Sequence, residues 1–384
     1  MSPSVSGSPR RALLACVALT FVLHAASYVL NTQLPRHLLT LGGSHAHIGW
    51  LFGVTTTVGL LLRPQVGGWT DRFGARTVML PGGVALVLTT LVLPLADRPL
   101  TVIALMVGLG VANALISTTA SIVVANESPA DRRGEWLSFF YVFSSAGVAL
   151  GPPLGFALAE RGGIRLAFAV TIALSLVTTA LVFTLRTAAG NPAAARAGGL
   201  PWSRHALPAS LVLIIITMGH ATVYAFLPLH TAAAGLGTAG WFFPLMSGFT
   251  IACRLVLRRA SDRAGRVPVL LPAIVLLALG NAMLATPPTR LSLVIAAALL
   301  GSGNSMLYPT LVALVVDRTP LAERGRAIGT LSGAWDVGVA IGAPLIAALV
   351  QARGFASGFL ASAVVTALGL GMLLLTERRR RQPT

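Results

Sequence analysis

The sequence predicts an all-α integral membrane protein with twelve transmembrane helices in two pseudo-symmetric six-helix bundles. Three observations support this fold class. Of the 384 residues, 55% are apolar and only 10% are charged. Long apolar runs fill most of the chain, and landmarks of the first half recur in the second. Soluble domains do not have such a composition, so lipid is the expected solvent for most of the surface.

The repeat becomes visible when landmark positions 191 residues apart are compared. The matching pairs are Trp50 and Trp241, Arg63 and Arg254, Asp71 and Asp262, Gly74 and Gly265, Asn113 and Asn304, and Gly151 and Gly342. Membrane chains with two similar halves are typical of secondary transporters, whose substrate site lies between the repeats near the bilayer midplane. The repeat therefore favours a transport function.

A span needs about 20 apolar residues, and twelve runs approach or exceed that length. They lie at 11–33, 46–68, 78–96, 99–124, 136–158, 164–186, 207–230, 239–257, 268–286, 290–315, 327–350 and 354–375. The polar stretch 187–206 is the predicted cytoplasmic linker. It separates an N-terminal six-helix bundle, 1–186, from a C-terminal six-helix bundle, 207–384.

The arginines predict the orientation, since they supply all 28 basic residues. With the N-terminus inside, 20 arginines fall on the cytoplasmic side, and Arg63 and Arg254 lie within the membrane. The six on the outer side are Arg36, Arg98, Arg161, Arg165, Arg290 and Arg353. Because cytoplasmic loops carry the arginine excess, we expect a multi-pass protein of the bacterial cell membrane with both termini in the cytoplasm.

Several other function classes are not supported. The net charge of +17 is spread over short loops between apolar runs, which argues against a nucleic-acid partner. Cys16 and Cys253 stand singly, so neither a disulfide nor a metal site is indicated. The chain carries no phosphate-binding loop and no evident nucleophile–base pair, so we expect no cofactor, no metal and no enzymatic activity.

A glycine-rich turn follows the second apolar run. It reads Gly67-Gly68-Trp69-Thr70-Asp71-Arg72-Phe73-Gly74-Ala75-Arg76 and resembles the G-x-L-A-D-R-F-G-R-K signature of the major facilitator superfamily, with Trp69 and Ala75 departing from it. A weaker copy spans 261–266. The resemblance implies the fold of that family and a cytoplasmic latch centred on Asp71; an ordinary basic turn is the alternative. The gating residues would be Gly67, Asp71, Arg72, Gly74, Arg76, Arg132, Arg133, Asp262, Arg263 and Gly265.

A second motif lies in the fifth run. Gly147, Gly151, Pro152 and Gly155 match the family's G-x(3)-G-P-x-x-G signature, which characterises its antiporter and drug-export branches. Small residues four apart let helices pack closely, and generic packing of that kind is the alternative. The resemblance favours export over import. A third family signature, an Arg-x-x-Gln-Gly pattern in the fourth run, is damaged, since Ala104 and Val107 stand at its matching positions before Gly108-Leu109-Gly110. This departure argues against the family's standard proton relay in that run.

Asp336 is the only one of eleven acidic residues deep within a predicted span. A carboxylate near the midplane costs several kcal/mol (about 2.5–3.5 on insertion scales) unless it is paired, hydrated or protonated. We interpret Asp336 as the proton-coupling residue or as the counter-charge of a cationic substrate. A structural pairing with Arg63 or Arg254 is the alternative.

Polar and aromatic residues cluster on the runs that would line a central cavity. In the resembled family these are helices 1, 4, 7 and 10. For any single residue, an interhelical hydrogen bond is the simpler explanation; for the two arginines, it is snorkelling to the interface. The candidate cavity residues are His24, Tyr28, Asn31, Arg63, Asn113, Ser117, Tyr141, Ser145, His220, Tyr224, Arg254, Asn304, Tyr308 and Trp335.

Together these features predict a monomeric exporter that moves a small amphipathic molecule, a drug or metabolite, in exchange for protons by alternating access. Such efflux can confer antibiotic resistance. Two alternatives remain open. One is an importer or facilitator of a sugar or organic anion, which Arg63 and Arg254 would bind. The other is a membrane receptor or scaffold that transports nothing.

Overall fold

The computed structural model describes residues 9–129, 133–185, 202–257, 260–320 and 323–381. Within those ranges the protein is built from helices and contains no strand, as the sequence predicts. The part of the predicted linker up to residue 201 lies outside the described residues, as does Arg132.

The first half contains five α-helices. They are α1 (Pro9–Thr40), α2 (His45–Phe73), α3 (Ala75–Val92), α4 (Pro99–Glu127) and α5 (Arg133–Thr184), with a short 3-10 turn at Leu93–Leu95. The long α5 is interrupted at Gly162 and Gly163, where the backbone leaves helical geometry. Gly163 has φ 68°, a conformation that glycine adopts without steric cost. This interruption divides α5 at the boundary predicted between the fifth and sixth spans.

The described residues of the second half form eight helices. They are α6 (Leu207–Thr217), α7 (His220–Ala233), α8 (Phe242–Val256), α9 (Ala260–Ala264), α10 (Arg266–Leu284), α11 (Arg290–Asp317), α12 (Arg324–Arg353) and α13 (Phe355–Arg381). The start of α11 carries a capping box. The Thr289 hydroxyl accepts a hydrogen bond from the Ser292 amide at 3.0 Å, and the Ser292 hydroxyl accepts one from the Thr289 amide at 2.9 Å. Two otherwise unpaired amides are thereby satisfied.

Ten helical stretches of the described chain are long and apolar enough to cross a membrane. One of them, Phe139–Thr184, contains both the fifth and the sixth predicted spans, and the shorter Phe242–Val256 occupies the place of the eighth. A total of twelve therefore depends on dividing α5 at its glycines and on counting the short helix. Exposed apolar side chains such as Leu61 and Leu368 suit contact with lipid.

The chain forms two compact units. One comprises residues 1–42 and 57–199, and the other comprises 43–56 and 200–384. The first turns of α2 therefore pack with the second unit. Gly49 provides the space for this contact, because a Cβ there would lie 2.5 Å from Ala347 Cβ and 2.8 Å from Pro344 Cα of α12. The domain limits at 186 and 207 remain a prediction.

Candidate functional site

Four aromatic candidates meet in the second unit. The His220 ring lies 4.6 Å from the Trp335 ring in a T-shaped contact and 5.3 Å from the Tyr224 ring. Trp335 also meets Tyr308 edge-on at 6.0 Å, and the Tyr308 hydroxyl is 3.0 Å from the Ser332 hydroxyl. Helices α7, α11 and α12 thus bring His220, Tyr224, Tyr308 and Trp335 into one cluster, which we call the aromatic cluster.

A break in the helix positions His220. The seventh predicted span is divided at Met218 and Gly219, so that α6 ends at Thr217 and α7 begins at His220. Gly219 fits closely beside α13, because a Cβ there would lie 2.9 Å from Ser362 Cβ. The Thr217 hydroxyl reaches the Trp335 carbonyl at 3.4 Å. Contacts on both sides of the break therefore direct the start of α7 toward α12.

A small cavity adjoins the aromatic cluster. Its polar and aromatic lining includes His220, Tyr224, Asn281, Asn304 and Trp335, and apolar walls come from α8, α10 and α11. Centres of water-sized molecules can occupy about 30 Å³ of it, which is room for about two waters. The cavity is too small for a drug-sized molecule in this structure.

Asp336 and Arg254 also belong to this unit. Asp336 is buried, with 6% of its surface exposed, and it lies one helical turn after Ser332 on the same face of α12. Arg254, on α8, is half-buried and donates its Nε–H to the Ser305 carbonyl of α11 at 3.3 Å. The guanidinium thereby helps to hold α8 against α11. A role in ligand binding would use its remaining N–H groups.

The first unit contains a counterpart centred on His24. Its Nδ1 lies 2.8 Å from the Thr20 carbonyl and 3.3 Å from the Ser144 hydroxyl of α5. Arg63 on α2 is near enough to interact electrostatically with the ring. Ser144 and Trp335 are 191 residues apart, so each repeat sets its histidine beside the same position of the equivalent helix. Ser144 was not among the predicted residues; its neighbour Ser145, the repeat counterpart of Asp336, was predicted instead.

The other candidates of the first unit occupy varied environments. The Asn113 amide donates to the Ser27 hydroxyl at 3.3 Å and to the Leu109 carbonyl at 2.9 Å. Ser117 bonds back to the Asn113 carbonyl. These two have the interhelical and local bonds that a structural role requires. The remaining four differ in exposure: Tyr28, Asn31 and Ser145 are half-buried, and Tyr141 is 36% exposed.

The glycines of the α5 motif form a contact face against α1. A Cβ at Gly147 would meet the Phe21 carbonyl, one at Gly151 would lie 2.5 Å from Tyr28 Cβ, and one at Gly155 would lie 2.8 Å from Thr32 Oγ1. Pro152 stands within this stretch of helix. The equivalent face of α12 packs on α6, where Gly338 meets Thr217 and Ile214, and Gly342 meets Met218. The motif therefore sets how closely the first helix of each repeat approaches the fifth.

The turn between α2 and α3 exposes its charges. Asp71, Arg72 and Arg76 are exposed, and the two guanidinium groups lie over Phe73 and Phe183, at 5.0 and 5.4 Å from the ring centroids.

Gly74 precedes α3 with φ 84°, and its repeat counterpart Gly265 precedes α10 with φ 90°, so both turns need glycine. A Cβ at Gly67 would meet none of the described atoms within 4 Å. Arg263 is exposed, whereas the side chains of Arg133 and Asp262, like Arg132, lie outside the described part of the chain.

A sequence profile of the Major Facilitator Superfamily matches residues 16–256 and 209–384. The chain belongs to this superfamily. It is therefore a multi-pass membrane transporter that handles a small molecule, and it is not an enzyme. Because the family consists of transporters, it argues against the alternative that the protein is a receptor or scaffold that transports nothing.

Individual relatives agree with this assignment. The chain is 23% identical over 360 residues to the staphylopine export protein of Staphylococcus aureus strain Mu50, covering 88% of this chain and 89% of that protein. It is 24% identical over 376 residues to the MFS-type transporter YhhS of Escherichia coli K12, covering 93% and 91%. The crystal structure of the human organic anion transporter MFSD10 matches with a TM-score of 0.71 at 17% identity, over 96% and 100% of the two chains. That likeness shows the shared fold.

Proposed function

We propose that this superfamily member exports a small amphipathic molecule in exchange for protons. The observation that carries the proposal is the glycine–proline face of α5, whose three glycines each stand where a side chain would collide with α1. In the family this motif characterises antiporters and exporters. The relative in Staphylococcus aureus is named for export, which supports the same direction.

Asp336 is the proposed proton carrier. It is buried on α12, twelve residues after the helix begins at Arg324, or about 18 Å along a helix about 45 Å long. At that depth the charged carboxylate needs polar partners, whereas the protonated, neutral carboxyl group does not need them. Exchange of a proton for substrate at this position would couple export to the proton gradient. Alternating access of the two bundles would carry the substrate across.

We also propose how the chain is oriented in the membrane. The chain lies in a bacterial cell membrane with both termini in the cytoplasm and works as a monomer, as the arginine distribution and the self-contained repeat favour. Single cysteines placed at Arg98 and at Arg263, in a chain lacking Cys16 and Cys253, give a direct test. An impermeant maleimide added to intact cells should label the first and spare the second. The opposite pattern would reverse the proposed orientation.

Transport into inside-out vesicles across an imposed pH gradient tests whether substrate movement is coupled to protons. Ethidium, a cationic amphipathic dye, serves as the probe. Asp336→Asn should abolish gradient-driven dye accumulation while the protein remains folded and inserted. Asp97→Asn makes the same chemical change at an exposed loop position and should leave transport unchanged. Undiminished gradient-driven accumulation in Asp336→Asn would remove Asp336 from the mechanism. Dye movement out of the inside-out vesicles, rather than into them, would favour an importer.

A further inference from the structure

We propose that the C-terminal unit contains a buried water-binding site, with the Asn281 side-chain carbonyl as its principal acceptor. The site occupies the small cavity beside the aromatic cluster. Asn281 lies on α10, which corresponds to the ninth predicted span, 268–286. That span is not one of the four expected to line the substrate cavity, and the transport proposal assigns Asn281 no role. The inference stands whether the protein exports or imports.

The orientation of the Asn281 amide carries the argument. Asn281 is buried, with 6% of its surface exposed, and its Nδ2 donates to the Leu277 carbonyl at 2.9 Å. A carbonyl oxygen can only accept, so the nitrogen must face Leu277 and the oxygen must point away from it. That Oδ1 is buried and has no hydrogen-bond partner among the described residues. Because a buried acceptor without a partner is costly, a donor is expected in the cavity that Asn281 lines.

The cavity has the size and lining that water requires. About 30 Å³ is open to the centres of water-sized molecules, and a single water needs about 10–15 Å³ on this measure. Ordered internal water usually makes two to four hydrogen bonds. Asn281 Oδ1 supplies one acceptor, and His220 and Asn304, whose side chains also carry hydrogen-bonding groups, line the space. A water here would connect α7, α10 and α11 and give the His220 ring a polar neighbour.

The corresponding positions of the first repeat have different hydrogen bonds. Asn304 corresponds to Asn113, whose amide bonds directly to Ser27. By the offset that relates His24 to His220, Ser27 corresponds to Val223, which lines the cavity. Thr90, the counterpart of Asn281, bonds to the Leu86 carbonyl of its own helix at 3.0 Å. The second repeat therefore has an apolar residue where the first has the hydroxyl that Asn113 contacts, and the Asn281 side-chain carbonyl lies in the same cavity.

Two methionines allow a test within one protein. Met246 lines the cavity and Met306 does not, yet each has 6% of its surface exposed. X-ray hydroxyl-radical footprinting of the full chain in nanodiscs, read by mass spectrometry, oxidises side chains next to bound water. We expect several-fold more oxidation at Met246 than at Met306. Equal oxidation of the two would overturn the proposal.

Asn281→Leu identifies the source of the water. It replaces the amide with an apolar side chain of nearly the same shape and so removes the acceptor, and Met246 oxidation should fall to the level of Met306. Unchanged Met246 oxidation in a folded Asn281→Leu protein would show that the water enters from elsewhere, and the proposal would fail. Asn281→Thr installs the residue of the first repeat and should give the same loss, so the test does not depend on the leucine variant folding. No substrate is needed, and failure here would leave the export proposal untouched.

Discussion

Replacing Gly342 with alanine should destabilise the protein although alanine is the better helix former. The added Cβ would collide with the Met218 carbonyl oxygen and Cα and would lie 2.5 Å from its carbonyl carbon. Ordinary contact begins at 3.4 Å, which leaves a shortfall of about 0.9 Å at the carbonyl carbon and a larger one at the other two atoms. All three atoms are backbone, so no side-chain rotation relieves the overlap. Helices α6 and α12 must separate instead.

The size of the effect follows from two opposing terms. A gap of ~0.5–1 Å forfeits a quarter to a half of the dispersion energy across a packed face, and overpacking typically costs ~1–3 kcal/mol. Because the collision involves rigid backbone, the upper part of that range applies. Alanine returns ~1 kcal/mol through helix propensity. We expect a net loss of ~2 kcal/mol in the free energy of unfolding.

Gly329→Ala is the matched control on the same helix. A Cβ at Gly329 would meet none of the described atoms within 4 Å, so only the favourable propensity term applies. Thermal unfolding of the purified protein, followed by tryptophan fluorescence, should show a lower Tm for Gly342→Ala and an equal or higher Tm for Gly329→Ala. Equal Tm values for the two variants would refute the packing argument.

Two further predictions concern charged groups at the helix ends. Arg318→Gln should lower the free energy of unfolding by ~1–3 kcal/mol, because Glu377 loses a guanidinium that donates to its Oε2 at 2.8 Å and lies 2.7 Å from its Oε1. Adding Glu377→Gln should recover part of this loss. A double mutant with a Tm below that of Arg318→Gln would contradict the reasoning. Asp71→Ala should slow vesicle transport with little change in dye Kd, because the carboxylate is exposed at a turn far from the midplane. A large rise in Kd with an unchanged rate would exclude the latch role.

The architecture was predictable because it depends on properties that a single sequence shows. Apolar run length gave the spans, the offset of 191 residues gave the repeat, and the glycines at 74 and 265 marked turns that the structure closes with positive φ. The burial of Asp336 was also predictable, since ten other acids lie at ends or in loops and it does not.

The details of the site depend on tertiary contacts that the sequence does not display. The break at Met218 and Gly219 interrupts an apolar run without any proline at that point. Ser144 was missed as the partner of His24, and Asn281 was missed because its helix was assigned no role in a cavity. In each case the role of the residue depends on which other helix packs against it. The periodicity of residues along a single helix does not reveal that neighbour.

The division between α6 and α7 has a mechanical consequence. At Met218 and Gly219 the regular helical pattern is interrupted although both residues keep right-handed helical backbone angles, and interruptions of this kind are where helices change direction. Glycines of α12 hold α6 along its last turns. The α7 segment, which carries His220 and Tyr224, is held separately by α13, where the Ser362 hydroxyl donates to the Thr222 hydroxyl at 3.0 Å. The two parts of the seventh span are therefore anchored to different helices, α6 to α12 and α7 to α13, so a relative movement of α12 and α13 would be taken up at Met218 and Gly219.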